Sequence, residues 1–435
     1  GSGPAARYGE VLALRARLPT GEPPWLSVRL GGSDDADAPR LPGLVLGGVL
    51  DRLDLDAWRA VVPAEAAGRG AAGPAWLREA DLRLGELRVQ QRRLPDTRLR
   101  VRPADQGWRI NLEGAHASGE IVTLPGAGGT RVSANFKHLR LPEAEPDGAA
   151  GAAREQMPAE DLAGLELNVA SLHWKNFGLG ELRLRLTPEA RGLRVDQMTL
   201  KTPEALLEGK GLLANHRRRP TRLDLRLDGT DLGKLLARFG YPDSVRQAAT
   251  RVTGHLAWMG GVEDFAFATL DGELDLHVGK GQFLKVDPGA ARLLGIVSLQ
   301  ALPRRIALDF RDVFSEGFAF DEIDGALYLQ RGKAYTKDLR MNGPAARVRM
   351  SGVIDLDRET QNLRLAIQPR LDDTMALAGA LLGGPAVGIG ALIAGKVLQD
   401  PIGQAATFEY TLSGTWSDPV VAKVPRARQD APPAP

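Results

Sequence analysis

The 435-residue chain contains no cysteine. That excludes disulfide staples, thiol nucleophiles and thiolate metal sites, and it is compatible with an oxidising compartment. Aromatic residues make up only 5% of the sequence, too few for the aromatic girdles of an outer-membrane barrel. The six histidines, His116, His138, His173, His216, His255 and His277, are scattered. They form neither an HExxH motif nor a paired metal spacing, so neither a metal site nor a cofactor is expected. Neither sign of charge dominates: the formal net charge is +2, and nothing global recruits nucleic acid. No carboxylate pair stands out for acid–base work, and a GxSxG elbow is missing. Asp34 beside Asp35 reads as a solvated loop, and Asp372 beside Asp373 as a helix cap. GALIAGK at 390–396 matches the start of a phosphate-binding loop, but Val397 stands where Ser or Thr would hold Mg²⁺. No enzymatic activity is expected.

What is present is ordinary in amount and unusual in arrangement. Hydrophobic residues are 43% and charged residues 25%, as in soluble proteins. The length exceeds one ordinary core, so two or three domains or one elongated fold are expected. Leu or Val alternates with charged residues in segment after segment. Examples are DLRLGELRV at 81–89, ELRLRL at 181–186, RLDLRLDG at 222–229, GELDLHV at 272–278 and NLRLAI at 362–367. Period-two alternation gives each strand one apolar and one solvated face, the signature of antiparallel sheets with one wet side. Glycines recur between these segments, as in a long meander. Helical signals are few: DAWRAVV at 56–62, DLGKLLARF at 231–239 with Asp231 as cap and Gly240 as stop, and PGAARLLGIVSL at 288–299.

One stretch breaks the pattern. Between Thr374 and Gly395 there is no charged side chain. Gly383, Gly384 and Pro385 interrupt it, and Gly and Pro cost about 1 and about 3 kcal/mol in a helix interior. Residues 372–403 therefore read as a hairpin of two short helices. Leu377, Leu381 and Leu382 form the apolar face of the first, and Ile389, Leu392, Ile393 and Val397 that of the second. Such a hairpin either plugs the end of a β core or engages a membrane.

The expected organisation is a β-rich groove segment at 1–140, a flexible loop at 141–160, and a second β-rich segment at 161–371. The helical hairpin at 372–403, a closing strand at 404–424 and a disordered tail at 425–435 follow. Gly1 to Gly3 reads as a tag remnant, and the chain as a fragment of a longer protein.

An extended sheet must cover its apolar face. Helices are too few here, so a second sheet or a ligand has to do it. A packed sandwich fits the alternation. So does an open groove lined by aliphatic side chains, which suits acyl chains at about 0.8 kcal/mol per buried methylene. The candidate lining residues are Leu182, Leu184, Leu186, Leu223, Leu225, Leu227, Leu274, Leu276, Leu363, Leu365 and Ile367. A one-residue slip in register would reverse the choice of face.

Several segments together resemble the C-terminal region of the YhdP-type proteins, within the AsmA-like family of Gram-negative envelope proteins. They are GKGQFLKVDPGAARLLGIVSLQALPRRIALDF from 279, GKAYTKDLRMNGPAARVRMSGVIDL from 332, GGPAVGIGALIAGKVLQDPI from 383 and YTLSGTWSDPVV from 410. DLGKLLARFGYPDSV from 231 agrees, whereas the first 140 residues match more loosely, through LDLDAW at 53–58. The resemblance implies a mainly β fold, a long twisted antiparallel sheet forming an open hydrophobic groove. It implies a non-enzymatic lipid bridge in the periplasm that carries phospholipid between membranes. An N-terminal anchor outside this chain would hold the inner membrane, and the 372–403 hairpin would engage the outer membrane. The rival reading is a β scaffold or assembly factor for outer-membrane proteins, with a packed core and no lipid.

Overall fold

In the computed structural model the alternating segments are β-strands. The structure describes residues 5–8, 11–17, 24–32, 42–55, 57, 76–89, 91–105, 107–126, 129–142, 164–262, 264–284, 318–370, 407–416 and 419–424. Strands dominate, and 22 of them belong to one hydrogen-bonded sheet. The sheet is open: β1 (Ala5–Tyr8) and β25 (Pro419–Lys423) each pair on one side only among the described residues. The chain divides into two compact units, 1–223 with 260–263, and 224–259 with 264–435.

The first unit holds thirteen consecutive strands. After β1 come β2 (Leu12–Arg17), β3 (Trp25–Leu30), β4 (Gly43–Asp54), β5 (Leu77–Val89), β6 (Arg92–Ala104) and β7 (Gly107–Glu113). Then follow β8 (Ala117–Gly126), β9 (Gly129–Leu141), β10 (Gly164–Trp174), β11 (Phe177–Glu189), β12 (Gly192–Lys201) and β13 (Ala205–Ala214). Each strand pairs with its neighbour in sequence. Three pairings depart from the expected antiparallel meander: β3 with β4, β4 with β5, and β9 with β10 are parallel. The alternation pattern carries no strand direction. Parallel neighbours need a long crossover where antiparallel ones need a tight turn, and the longer connections at 31–42, 55–76 and 142–163 sit at these three steps. The low-complexity 141–160 stretch thus joins two adjacent strands of the same unit.

β14 (Pro220–Gly229) follows. The second unit carries β16 (Thr250–Met259), β17 (Asp271–Val278), β20 (Glu322–Gln330), β21 (Lys333–Asn342), β22 (Ala346–Asp355), β23 (Thr360–Pro369), β24 (Phe408–Thr415) and β25, paired antiparallel in that order. A separate three-stranded sheet is made of β15 (Val245–Gln247), β18 (Gly281–Phe283) and β19 (Phe318–Phe320). It brings the Phe283 and Phe320 rings to 4.8 Å between centroids.

Among the described residues one α-helix is complete, α1 (Leu232–Arg238). Its start is fixed as the sequence predicts: the Asp231 carboxylate accepts the Lys234 backbone N–H at 3.1 Å, which satisfies one of the orphan donors of the first turn. Gly240, at φ +90°, ends it in the left-handed region, where glycine carries no Cβ penalty. Leu235 is buried, and Leu232 and Leu236 pack on the second unit's core. Phe239, expected on the same face, is 36% exposed. Of the helical reading at 56–62 only Ala57 is described, and it is helical, while the reading at 288–299 and the hairpin at 372–403 lie outside the described residues.

Candidate functional site

The registers of the first unit carry an apolar row from strand to strand. Ala6, Leu14, Val28, Leu46, Ala80, Val101 and Ile110 stand directly opposite one another in succession. The row continues through Ile121, Ala134, Leu167, Leu184, Met198 and Gly209. A second row runs alongside through Leu99, Leu112, Gly119, Phe136, Val169, Leu182, Leu200 and Leu207. Directly opposed residues share a face, so thirteen strands present one continuous aliphatic surface. At a spacing of roughly 4.8 Å per strand, its length measured along the sheet is roughly 58 Å. Gly119 makes room for the aromatic member of the second row, since a Cβ there would lie 2.6 Å from Cδ1 of Phe136.

This surface is not packed shut. Leu14, Val28, Leu46, Val101, Ile110, Ile121, Leu167, Leu184 and Met198 are all half-buried. Along the first row only the small members, Ala80 and Ala134, fall to 5% and 4% exposure, and in the second row Val169 is buried at 1%. A tighter cluster forms at Leu82, Leu84, Leu87 and Leu94, against which Leu46, Leu50 and Leu99 pack. In the second unit the same alternation is sealed. Val278, Ile323, Met341, Val348, Ile367 and Phe408 form its row. Val348, Met350, Leu365 and Tyr410 are 3–4% exposed, and Leu363 and Leu412 only 1%. The β15–β18–β19 sheet and α1 supply much of the cover, through Val245, Phe283, Phe318, Phe320, Leu232 and Leu236.

The eleven lining residues expected from the sequence therefore fall into two environments. Leu182 and Leu184 lie half-buried on the open face, and Leu186 on the same strand is buried. Leu223 is buried, while Leu225 and Leu227 are half-buried. In the second unit Leu274 is half-buried, Leu276 and Ile367 pack against the core, and Leu363 and Leu365 are members of it. The sequence reading missed the open face on β2 to β10, where Leu14, Val28, Val101, Ile110, Ile121 and Leu167 lie. The signal was present in the alternation of RINLEG at 109–114 and GLELNV at 164–169.

The opposite face of the sheet is charged and largely self-neutralised. Asp81 takes two hydrogen bonds from Arg98, at 2.8 and 2.7 Å, and one from Arg100 at 3.3 Å. The Arg98 bond, outweighing partial burial, holds the Asp81 carboxyl below its usual value and raises the guanidinium in return. Thr187 and Arg194 lower Asp196 in the same way, and Arg226 with Arg251 lower Asp228. Further cross-strand pairs join Arg102 to Glu79, Arg109 to Glu120 and Arg185 to Glu166. Burial alone pushes the Tyr410 phenol up. His277 is exposed, as its alternation predicts, and pairs with Asp324 at 2.5 Å. The basic HRRR turn at 216–219 caps the β13–β14 hairpin, with the His216 Nδ1 accepting the Arg218 backbone N–H.

Chemistry is sparse in this arrangement. Among the described residues there is no cluster of three metal-ligating side chains, and no helix long and apolar enough to cross a membrane. What the fold offers is contact area: a broad open sheet, charged on one side and aliphatic on the other, with the aliphatic side of its first unit left accessible. Such a molecule belongs to the class of open, mainly antiparallel β-sheet proteins. The family model described as "YhdP protein" matches residues 5–421, and the chain belongs to that family. Over 207 residues it is 31% identical to the "Intermembrane phospholipid transporter YhdP" of Escherichia coli (strain K12). The matched stretch is 47% of this chain and 16% of that relative. No solved structure matches the chain.

Proposed function

We propose that this chain is a segment of a phospholipid-transport protein of the Gram-negative envelope, acting without catalysis. Acyl chains lie against the half-buried aliphatic rows of the first unit, and the headgroups stay in water. The observation that carries this reading is the continuity of that face in register across thirteen strands, none of whose large aliphatic members is sealed by packing along the principal row. Each methylene moved from water onto such a surface recovers about 0.8 kcal/mol, so a lipid chain can be held without a closed cavity. Leu182 and Leu184 are the retained lining positions in the first unit, joined by Leu14, Val101, Ile110, Ile121, Leu167 and Met198, and the half-buried Leu225, Leu227 and Leu274 are the retained positions in the second. The periplasmic bridge between inner and outer membranes belongs to the whole protein, of which this chain supplies one part. The 372–403 stretch supplies the contact with the outer membrane, through Leu377, Leu381, Leu382, Ile389, Leu392, Ile393 and Val397.

The sealed face of the second unit favours the scaffold reading for that half. With Leu363 and Leu412 at 1% exposure, its part from β20 to β24 stands as a packed support that holds an outer-membrane partner and carries no lipid. Purification without detergent, followed by native and lipid mass spectrometry, tests the proposal. Bound phospholipid at about one or more per chain supports it. A lipid-free chain leaves the scaffold as the function of the whole.

A further inference from the structure

On the charged face of the second unit the self-neutralising pattern fails at a cluster of arginines. A cleft of about 750 Å³ opens there, and Arg340, Arg347, Arg349 and Arg370 line it. Its volume suits a small-molecule ligand. Arg340 and Arg349 stand directly opposite each other on β21 and β22, and like charges so placed destabilise a sheet. Arg347 lies two residues away on the same strand face, and Arg370 follows the end of β23. Among the described residues Arg347, Arg349 and Arg370 have no carboxylate partner.

The nearby carboxylates are engaged elsewhere. Asp324, opposite Arg340 on β20, is held by His277. Glu322 accepts the Asn342 side-chain amide at 2.7 Å, and Glu409 pairs with Arg364. Only Asp338 reaches one of the four arginines, Arg340, at 3.3 Å. Asp321 and Glu322 also line the cleft, so four guanidinium groups face two carboxylates. Asn342 and Gln368 line it as well and supply neutral amide donors. Arginines held together in excess over their counter-charge suit an anion from outside, and the planar guanidinium fork matches phosphate oxygens in pairs.

We propose that this cleft binds a phosphoryl group, a phosphate monoester or diester anion. Its position suggests the source. Arg370 and Thr407 both line the cleft, and they flank the stretch that is uncharged between Thr374 and Gly395. If that stretch meets a lipid surface, the cleft lies where its phosphates are. A soluble phosphate would use the same four side chains. The site is on the charged face of the second unit and does not depend on acyl chains being held by the first.

The test uses the whole chain with Arg347→Gln and Arg349→Gln together, and a control of equal charge loss, Arg83→Gln with Arg131→Gln. Inorganic phosphate is titrated by calorimetry, and flotation is measured with phosphatidylcholine vesicles with and without phosphatidylglycerol. Loss of about tenfold in phosphatidylglycerol-dependent flotation for the cleft pair, but not the control, assigns the site to lipid phosphate. The same loss in the inorganic phosphate titration assigns it to a soluble anion. Equal behaviour of the two pairs in both measurements overturns the proposal. Removing Arg349 relieves its like-charge opposition to Arg340, so the cleft pair should not lower the unfolding midpoint, and a fall in it shows that the arginines serve the fold instead. Lipid that co-purifies with the chain is read separately, so failure here leaves the acyl-chain reading standing.

Discussion

Leu167 of β10 and Leu184 of β11 face each other directly across an antiparallel ladder, and both remain half-buried. A directly opposed aliphatic pair inside a closed sandwich would be sealed by the facing sheet. Here the pair sits in a row whose larger members are all in the same half-covered state.

Leu184→Asp, alone or with Leu225→Asp, should therefore remove lipid and spare the fold. A carboxylate placed among acyl chains carries a large desolvation cost, whereas at a half-exposed position it can still reach water in the free protein. Co-purified phospholipid is expected to fall about tenfold or more, with unchanged β content by circular dichroism. Lipid retained at the wild-type level would remove Leu184 from the lining.

The two units should answer differently to the same truncation. Leu363→Ala, at a position 1% exposed, should cost about 2–5 kcal/mol by leaving a cavity. Leu184→Ala, half-exposed, should cost about 1 kcal/mol or less. Urea unfolding of the two variants gives the comparison, and equal losses would mean that the first unit's face is packed after all.

Asp81 provides a pH test. Its folded-state pKa is depressed below the usual 3.8, first through the Arg98 hydrogen bond. A depressed carboxylate stabilises the fold at pH above its unfolded value and loses that contribution as pH falls through the folded value. The stability difference between wild type and Asp81→Asn should be constant near neutrality and shrink below about pH 4. Because the pair is partly solvent-exposed, the effect should be modest and weaken with salt. A difference that grows on acidification would contradict the assignment.

The outer-membrane contact is tested by Leu381→Asp combined with Ile393→Asp. The double variant should lose liposome binding and keep its β content. Persistent binding would return the 372–403 stretch to the role of a core plug.

Much of the fold was legible in the sequence because alternation is a local property. It marked β5, β11, β14, β17 and β23, and the Asp231 cap with the Gly240 stop bounded α1. Strand direction is not local. Nothing in the leucines of GLELNV at 164–169 says whether the preceding strand runs with them or against them, and the parallel β9–β10 step went unread. Coverage is not local either. LRLRL at 182–186 and LRLAI at 363–367 carry the same pattern, yet the first is half-open and the second is closed by Phe283, Phe318 and Phe320 arriving from other strands. The basic cleft was hidden for the same reason. ARVRM at 346–350 reads as one more alternating strand, and only the β21–β22 register sets Arg349 opposite Arg340.

The parallel step between β9 and β10 sets a rule for the lengths this connection can take. Leu141 lies beside Trp174, and Gly164 beside Arg131, so the chain leaves at one rim and must re-enter at the other. The breadth to be crossed is about ten residues of strand, roughly 33 Å. Residues 142–163 exceed that reach when extended, at about 3.3 Å or more each. The connection is thus a tether with slack on one side only. It can lengthen freely in descendants of this chain, and it can shorten until it is taut, after which further loss would drag β10 out of step with β9 and break the aliphatic row between Ala134 and Leu167.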